Sequence, residues 1–220
     1  MSIPILYHSA LVLMATVYPV SVPQIMQNFT RRYNNKNQDV IYLASCVVIS
    51  GVLLLLSCVL VPIGGNIILT AEPLWYIAAA LAAPLLIAVE FAVGGILLRA
   101  SGTKVKGISV NASWKKLSAA GWVLTLLLAV IEELIYRQLW SVAILEHLGW
   151  GTAVFVALSA LCYGFNHLYY GFSTFLQKTV SGTAYAALFL LSGGCILVPV
   201  LAHVLQNLII LMMGRRQKNG

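Results

Sequence analysis

Ser118–Leu145 reads S-A-A-G-W-V-L-T-L-L-L-A-V-I-E-E-L-I-Y-R-Q-L-W-S-V-A-I-L, 28 residues of which only Glu132, Glu133 and Arg137 are charged. At about 1.5 Å per residue, a helix of this length exceeds the roughly 30 Å hydrocarbon core of a bilayer. Strand-like alternation is absent, so a membrane barrel is not indicated. Each ionised group at the centre of such a helix costs about 2.5 to 3.5 kcal/mol, so three unpaired ones would cost roughly 8 to 10 kcal/mol. Charges kept in such a place need partners or a use.

The rest of the chain is of the same kind. It has 220 residues, 60% hydrophobic and 9% charged, with mean hydropathy +0.92; soluble domains carry about 25% charged residues. The reading is an all-α polytopic membrane protein, a bundle of about seven transmembrane helices near Ile3–Pro23, Val40–Ile63, Leu74–Leu98, Ser118–Leu145, Gly151–Tyr170, Thr174–Leu191 and Cys195–Met213. Connections after the first, third and seventh runs hold Arg31, Arg32, Lys36, Arg99, Lys104, Lys106, Lys115, Lys116, Arg215, Arg216 and Lys218, and the alternate connections hold no Lys or Arg. This asymmetry predicts the N-terminus outside and the C-terminus cytoplasmic. The net charge of +7 is then a property of loops facing anionic lipid rather than a nucleic-acid footprint. The loop Arg99–Lys116 mixes Lys with Val, Ile and Trp114 and suits the leaflet surface as well as it suits plain solvent. Cys46, Cys58, Cys162 and Cys195 lie in apolar runs without C-x-x-C spacing and read as small hydrophobes. The start M-S-I-P-I-L-Y-H has no basic region, so a cleaved signal peptide is not expected.

Glu133 and Arg137 are four apart, share a helix face and can pair. Glu132 is turned by about 100° from Glu133 and needs a partner from another helix. Two later runs offer candidates: Tyr163 and His167 at i, i+4, and His203 and Asn207 at i, i+4. Groups of this kind most cheaply satisfy one another around a shared polar cavity. A carboxylate and a neutral imidazole suit activation of a water, and an imidazole with a carboxamide suit an oxyanion, which together is peptide hydrolysis. No H-E-x-x-H or G-x-S-x-G is present. No cofactor is called for, although zinc held by Glu132, His167 and His203 stays open. A proton-coupled transporter using Glu90, Glu132 and Glu133 and a catalytically idle scaffold or immunity protein are the alternatives.

These three motifs, E-E-x-x-x-R, aromatic-x-x-x-H and H-x-x-x-N in that order, resemble the CPBP family, the CAAX prenyl endopeptidases and bacteriocin-processing enzymes also called the Abi family of glutamic intramembrane proteases. The resemblance covers about Ala119 to Met213. It implies that Glu132 and His167 activate water, that His203 and Asn207 form an oxyanion hole, and that Glu133, Arg137 and Tyr163 support the site. Tyr163 stands where the family usually has Phe, which adds a hydroxyl. The implied organisation is a single membrane domain, with accessory spans and a basic loop over residues 1–117 and catalytic spans over 118–213. The implied partners are membrane lipid and a peptide or protein with a membrane-associated segment, not nucleic acid. The small size suggests a prokaryotic inner-membrane enzyme.

Of the remaining polar or special residues, Glu90 reads as paired with a basic group or protonated, His8 as packed, and His147 as solvated in an outer loop. Gly193 and Gly194 read as a turn. Pro84 and Pro199 read as kinks. The orientation is checked by fusing green fluorescent protein to the C-terminus and alkaline phosphatase to the N-terminus; both reporters are expected to be active.

Overall fold

The computed structural model describes residues 3–30, 38–102 and 117–219. Arg31, Arg32, Lys36 and the basic loop residues Lys104, Lys106, Trp114, Lys115 and Lys116 lie outside them. Eight helices follow one another: α1 Ile3–Thr16, α2 Ser21–Thr30, α3 Gln38–Leu60, α4 Pro73–Ala100, α5 Ala119–Glu133, α6 Thr152–Phe165, α7 Phe172–Leu191 and α8 Leu197–Asn219. Among the described residues there is no strand, only an isolated parallel bridge between Ile68 and Cys195.

Local chemistry explains the ends. The first apolar run breaks between α1 and α2 because Pro19 removes a backbone donor and disfavours helix at Tyr18. Pro23 falls in the first turn of α2, where it is tolerated. Pro73 opens α4 at its first position. Ser118 caps α5, its Oγ accepting from the Gly121 N–H at 3.3 Å. Beyond Glu133 the α5 helix continues in wider π-type turns over Leu134–Leu139 and Val142–His147; such turns recur at functional sites. Gly193 and Gly194 have φ of 74° and 83° and form the turn before α8. Pro84 lies inside α4. Pro199, expected to kink its helix, lies instead in the first turn of α8, where its missing N–H breaks no bond.

Among the described residues, five stretches are long and apolar enough to cross a membrane: Ile3–Asn28, Gln38–Leu60, Pro73–Ala100, Ala119–His147 and Leu197–Arg216, with Thr152–Phe165 as a shorter apolar helix. Five of the seven expected runs fall in these spans, while the fifth, α6, is shorter and the sixth, α7, more polar. The α6 helix is only 14 residues long, and α7 carries Ser173, Thr174, Gln177, Lys178, Thr179, Ser181 and Thr183.

The α5 helix and its continuation occupy the centre. Residues Ala119–Glu133 pack against α3 and α8, and the continuation, in which Ile135, Tyr136, Leu139, Val142, Ala143 and Ile144 are all buried, packs against α1, α3 and α6. Large apolar side chains such as Leu55, Val59, Leu81, Leu85 and Ile96 on α3 and α4 point outward, as lipid-facing residues do. The α6 and α7 helices pack closely because glycines remove obstructing side chains. A Cβ on Gly182 would lie 2.9 Å from Tyr163 Cδ1 and 3.1 Å from Ala160 Cα, and one on Gly164 would meet the Thr179 hydroxyl. Two histidine readings change. His8 is exposed rather than packed, and His147 is half-buried with Nδ1 3.0 Å from Ser9 Oγ, joining the end of the α5 continuation to α1.

The contact at Gly182 is against backbone and cannot be relieved by a rotamer change. Gly182→Ala is expected to lose about 1 to 3 kcal/mol by overpacking, read as a lower unfolding midpoint in detergent, whereas Gly95→Ala, which meets nothing within 4 Å, leaves it unchanged.

Candidate active site

Glu133 and Arg137 are both fully buried, and the guanidinium Nε lies 3.1 Å from Glu133 Oε2. An isolated buried charge is prohibitively costly, so the pair is surrounded by further partners. Arg137 Nη2 donates to the Gly182 carbonyl at 2.8 Å. Its guanidinium carbon sits 5.1 Å from the Tyr163 ring centre and 5.4 Å from that of Tyr185, a cation–π arrangement. Gly182 thus serves twice: its missing side chain admits Tyr163, and its carbonyl accepts from Arg137.

The same carboxylate reaches α8. Glu133 Oε1 is 2.8 Å from His203 Nδ1. A carboxylate held by an arginine accepts, so Nδ1 carries the proton and Nε2 faces the other way. There Tyr163 Oη lies at 3.2 Å and Glu132 Oε2 at 3.8 Å. Tyr185 stacks on the imidazole at 4.8 Å, and Tyr163 meets it edge-on at 5.5 Å. Glu133, expected to be a structural partner of Arg137 alone, therefore also orients His203, and Glu132 finds its interhelical neighbour in the same residue. The hydroxyl that distinguishes Tyr163 from Phe touches the site.

His167 follows the end of α6. Its Nδ1 is 3.1 Å from the Tyr163 carbonyl. A carbonyl only accepts, so Nδ1 is protonated and the Nε2 lone pair is left free to act as a base.

Glu132, His167, His203 and Asn207 all line one cavity of about 260 Å³. Helices α5 and α8 and the turn after α6 supply them. Among the described residues no three His, Cys, Asp or Glu side chains form a group able to hold a metal.

The cavity also uses residues outside the three motifs. Tyr42 and Cys46 of α3 and Ile87, Glu90 and Phe91 of α4 line it, so the first half of the chain walls the site. Glu90 accepts from Lys178 Nζ at 2.8 and 3.0 Å, from Ser181 at 2.6 Å and from Gln206 at 2.9 Å, and Tyr185 donates to Gln206. The expected basic partner of Glu90 is thus Lys178, whose lone charge within an apolar run was a usable signal. Asn166 also lines the cavity; beside His167 its polarity is easily taken for that of a loop.

Residues 114–209 match the family model described as type II CAAX prenyl endopeptidase Rce1-like. No curated protein and no solved structure matches the chain significantly.

Arg137→Met leaves Glu133 buried without its counter-charge. It is expected to cost about 3 to 5 kcal/mol in unfolding measured by denaturing-detergent titration. Adding Glu133→Gln, which removes that charge and keeps an acceptor for His203, recovers most of the loss.

Proposed function

Residues 114–209 belong to the CPBP/CAAX protease family, and from that premise we propose that this membrane protein hydrolyses a peptide bond in a membrane-associated peptide or protein tail. The observation that carries the reading is that Glu132 of α5, His167 in the turn after α6, and His203 and Asn207 of α8 all line one cavity.

In the proposed reaction a water is held between the Glu132 carboxylate and His167 Nε2. Glu132 takes one proton as the water oxygen bonds to the scissile carbonyl carbon, whose C=O becomes an oxyanion. The Asn207 amide N–H and a proton on His203 Nε2 donate to that oxyanion. Glu132 then returns its proton to the leaving nitrogen as the C–N bond breaks, giving an acid and an amine.

Charge balance supports this assignment. Donation from His203 Nε2 requires the imidazolium, since Nδ1–H is committed to Glu133. Ionised Glu132 and Glu133 with Arg137 and protonated His203 sum to zero. Moving one proton from His203 to Glu132, 3.8 Å away, also sums to zero. The site can pass between a resting and an active form without placing net charge in a low-dielectric interior. Tyr163, 3.2 Å from Nε2, can accept from the imidazolium or donate to the neutral ring.

With farnesylated and unmodified peptides supplied to the reconstituted protein, Glu132→Gln is expected to lower kcat by a factor of about 10² to 10⁴. Asn207→Ala is expected to lower it by about 10² to 10³. Tyr163→Phe keeps the ring and changes kcat by less than about tenfold. Cleavage by Glu132→Gln at the wild-type rate would sink the proposal.

A further inference from the structure

Among the described residues, Lys178 is the only lysine or arginine that lines the cavity. It stands on α7 beside Gln177 and one turn after Thr174, which line the cavity with it. Its side chain keeps 13% of its surface accessible. Its charge acts on Glu132, His167 and His203, so the ammonium is within electrostatic reach of three of the four reaction residues. Arg137, by contrast, is fully buried and forms no part of the cavity wall.

An ammonium carries three N–H donors. Lys178 Nζ meets the two Glu90 oxygens at 2.8 and 3.0 Å. No other acceptor meets it among the described residues, so at least one N–H is left over. Glu90, for its part, does not depend on Lys178 alone: its Oε1 also accepts from Ser181 at 2.6 Å and from Gln206 at 2.9 Å. Neutral donors on two helices already share the negative charge. The cation can therefore take a second anion without surrendering the first.

Much of the remaining wall is apolar, with Leu43, Ile87, Phe91, Leu128 and Ile210. A volume of about 260 Å³ lies below the roughly 300 to 1,000 Å³ of ordinary ligand pockets, which suits a short end of chain rather than a chain running through. Such an end brings a terminal carboxylate, and an ionised carboxylate away from water is too costly to leave unpaired. In the proposed reaction His203 and Asn207 hold the oxyanion, and Glu132 and His167 hold water. Lys178 is the cation that remains.

We propose that Lys178 binds the terminal carboxylate of the substrate, so that the protein cuts a few residues from a free C-terminus. The inference rests on the endopeptidase reading and deepens it by assigning a residue that sets where along a chain the cut falls. An acidic side chain in the tail offers the same chemistry as the terminus, and the experiment separates the two.

Binding is measured in a Glu132→Gln background, so that turnover does not intervene. The probes are dye-labelled farnesyl-cysteine peptides with apolar tails of two to five residues, each made as the free acid and as the C-terminal amide. At the preferred length the acid is expected to bind about ten- to a hundredfold more tightly than the amide. Removing Lys178 alone strands Glu90, so the decisive comparison is made with Glu90→Gln throughout. Glu132→Gln/Glu90→Gln keeps the preference for the acid. Adding Lys178→Met abolishes it, by weakening the acid to the level of the amide, whereas adding Lys178→Arg retains it. Should the methionine variant fail to fold, Lys178→Gln takes its place. Equal binding of acid and amide in the presence of Lys178 overturns the inference, as does a preference that survives Lys178→Met. An amidated tail carrying an aspartate that binds as tightly as the free acid also overturns it, by assigning Lys178 to acidic side chains. Wild-type protein that cleaves acid and amide with equal kcat/KM overturns it and leaves the endopeptidase reading intact. Wild-type protein that cleaves neither, while the Lys178-dependent preference in binding holds, confirms the carboxylate site and removes the endopeptidase reading.

Discussion

The carboxylate of Glu133 is the constraint on which the rest of the site depends. It is fully buried, and it holds Arg137 with one oxygen and the His203 imidazole with the other. Arg137 in turn reaches the Gly182 carbonyl, so three helices are joined through one acidic group. Without Arg137 the carboxylate would be an uncompensated charge in an apolar interior. Without the carboxylate, His203 would have no fixed tautomer. A fully buried ion pair and the orientation of a site residue therefore share one carboxylate.

A second polar cluster runs parallel to the first. Glu90 joins α4 to α7 through Lys178 and Ser181 and to α8 through Gln206. The two clusters meet through Tyr185, which donates to Gln206 and stacks on His203. Membrane helices gain little from apolar contact with one another, since lipid is equally apolar, and polar contacts and close packing supply the specificity. Here α7 contributes both: Lys178 and Ser181 for one cluster, and the Gly182 backbone for the other.

Much of this was legible in the chain. Long apolar runs announce themselves because a bilayer imposes a length, and Glu133 with Arg137 at i, i+4 is readable from helical geometry alone. Tyr163 with His167 and His203 with Asn207 were readable for the same reason; His167, His203 and Asn207 line the cavity, and Tyr163 packs behind it against His203. What stayed hidden depends on contacts between distant segments. That Glu133 serves His203 requires knowing how α8 lies against α5. Asn166 is held by Tyr136 and Gln24, which no local pattern connects to it. The break at Pro19 was masked by the apolar residues on either side, and hydropathy read one helix where the backbone makes two.

The brevity of α6 has a consequence for the surrounding lipid. Fourteen residues extend about 21 Å, well short of a hydrocarbon core of roughly 30 Å. A bilayer meeting so short an element thins around it or draws its polar boundary inward. Asn166 and His167, which line the cavity, stand at the end of this helix, where a bilayer matched to its length would draw its polar boundary inward. Hydrolysis inside a membrane is a problem of supply as much as of chemistry, and a local depression of the bilayer shortens the distance that water has to travel.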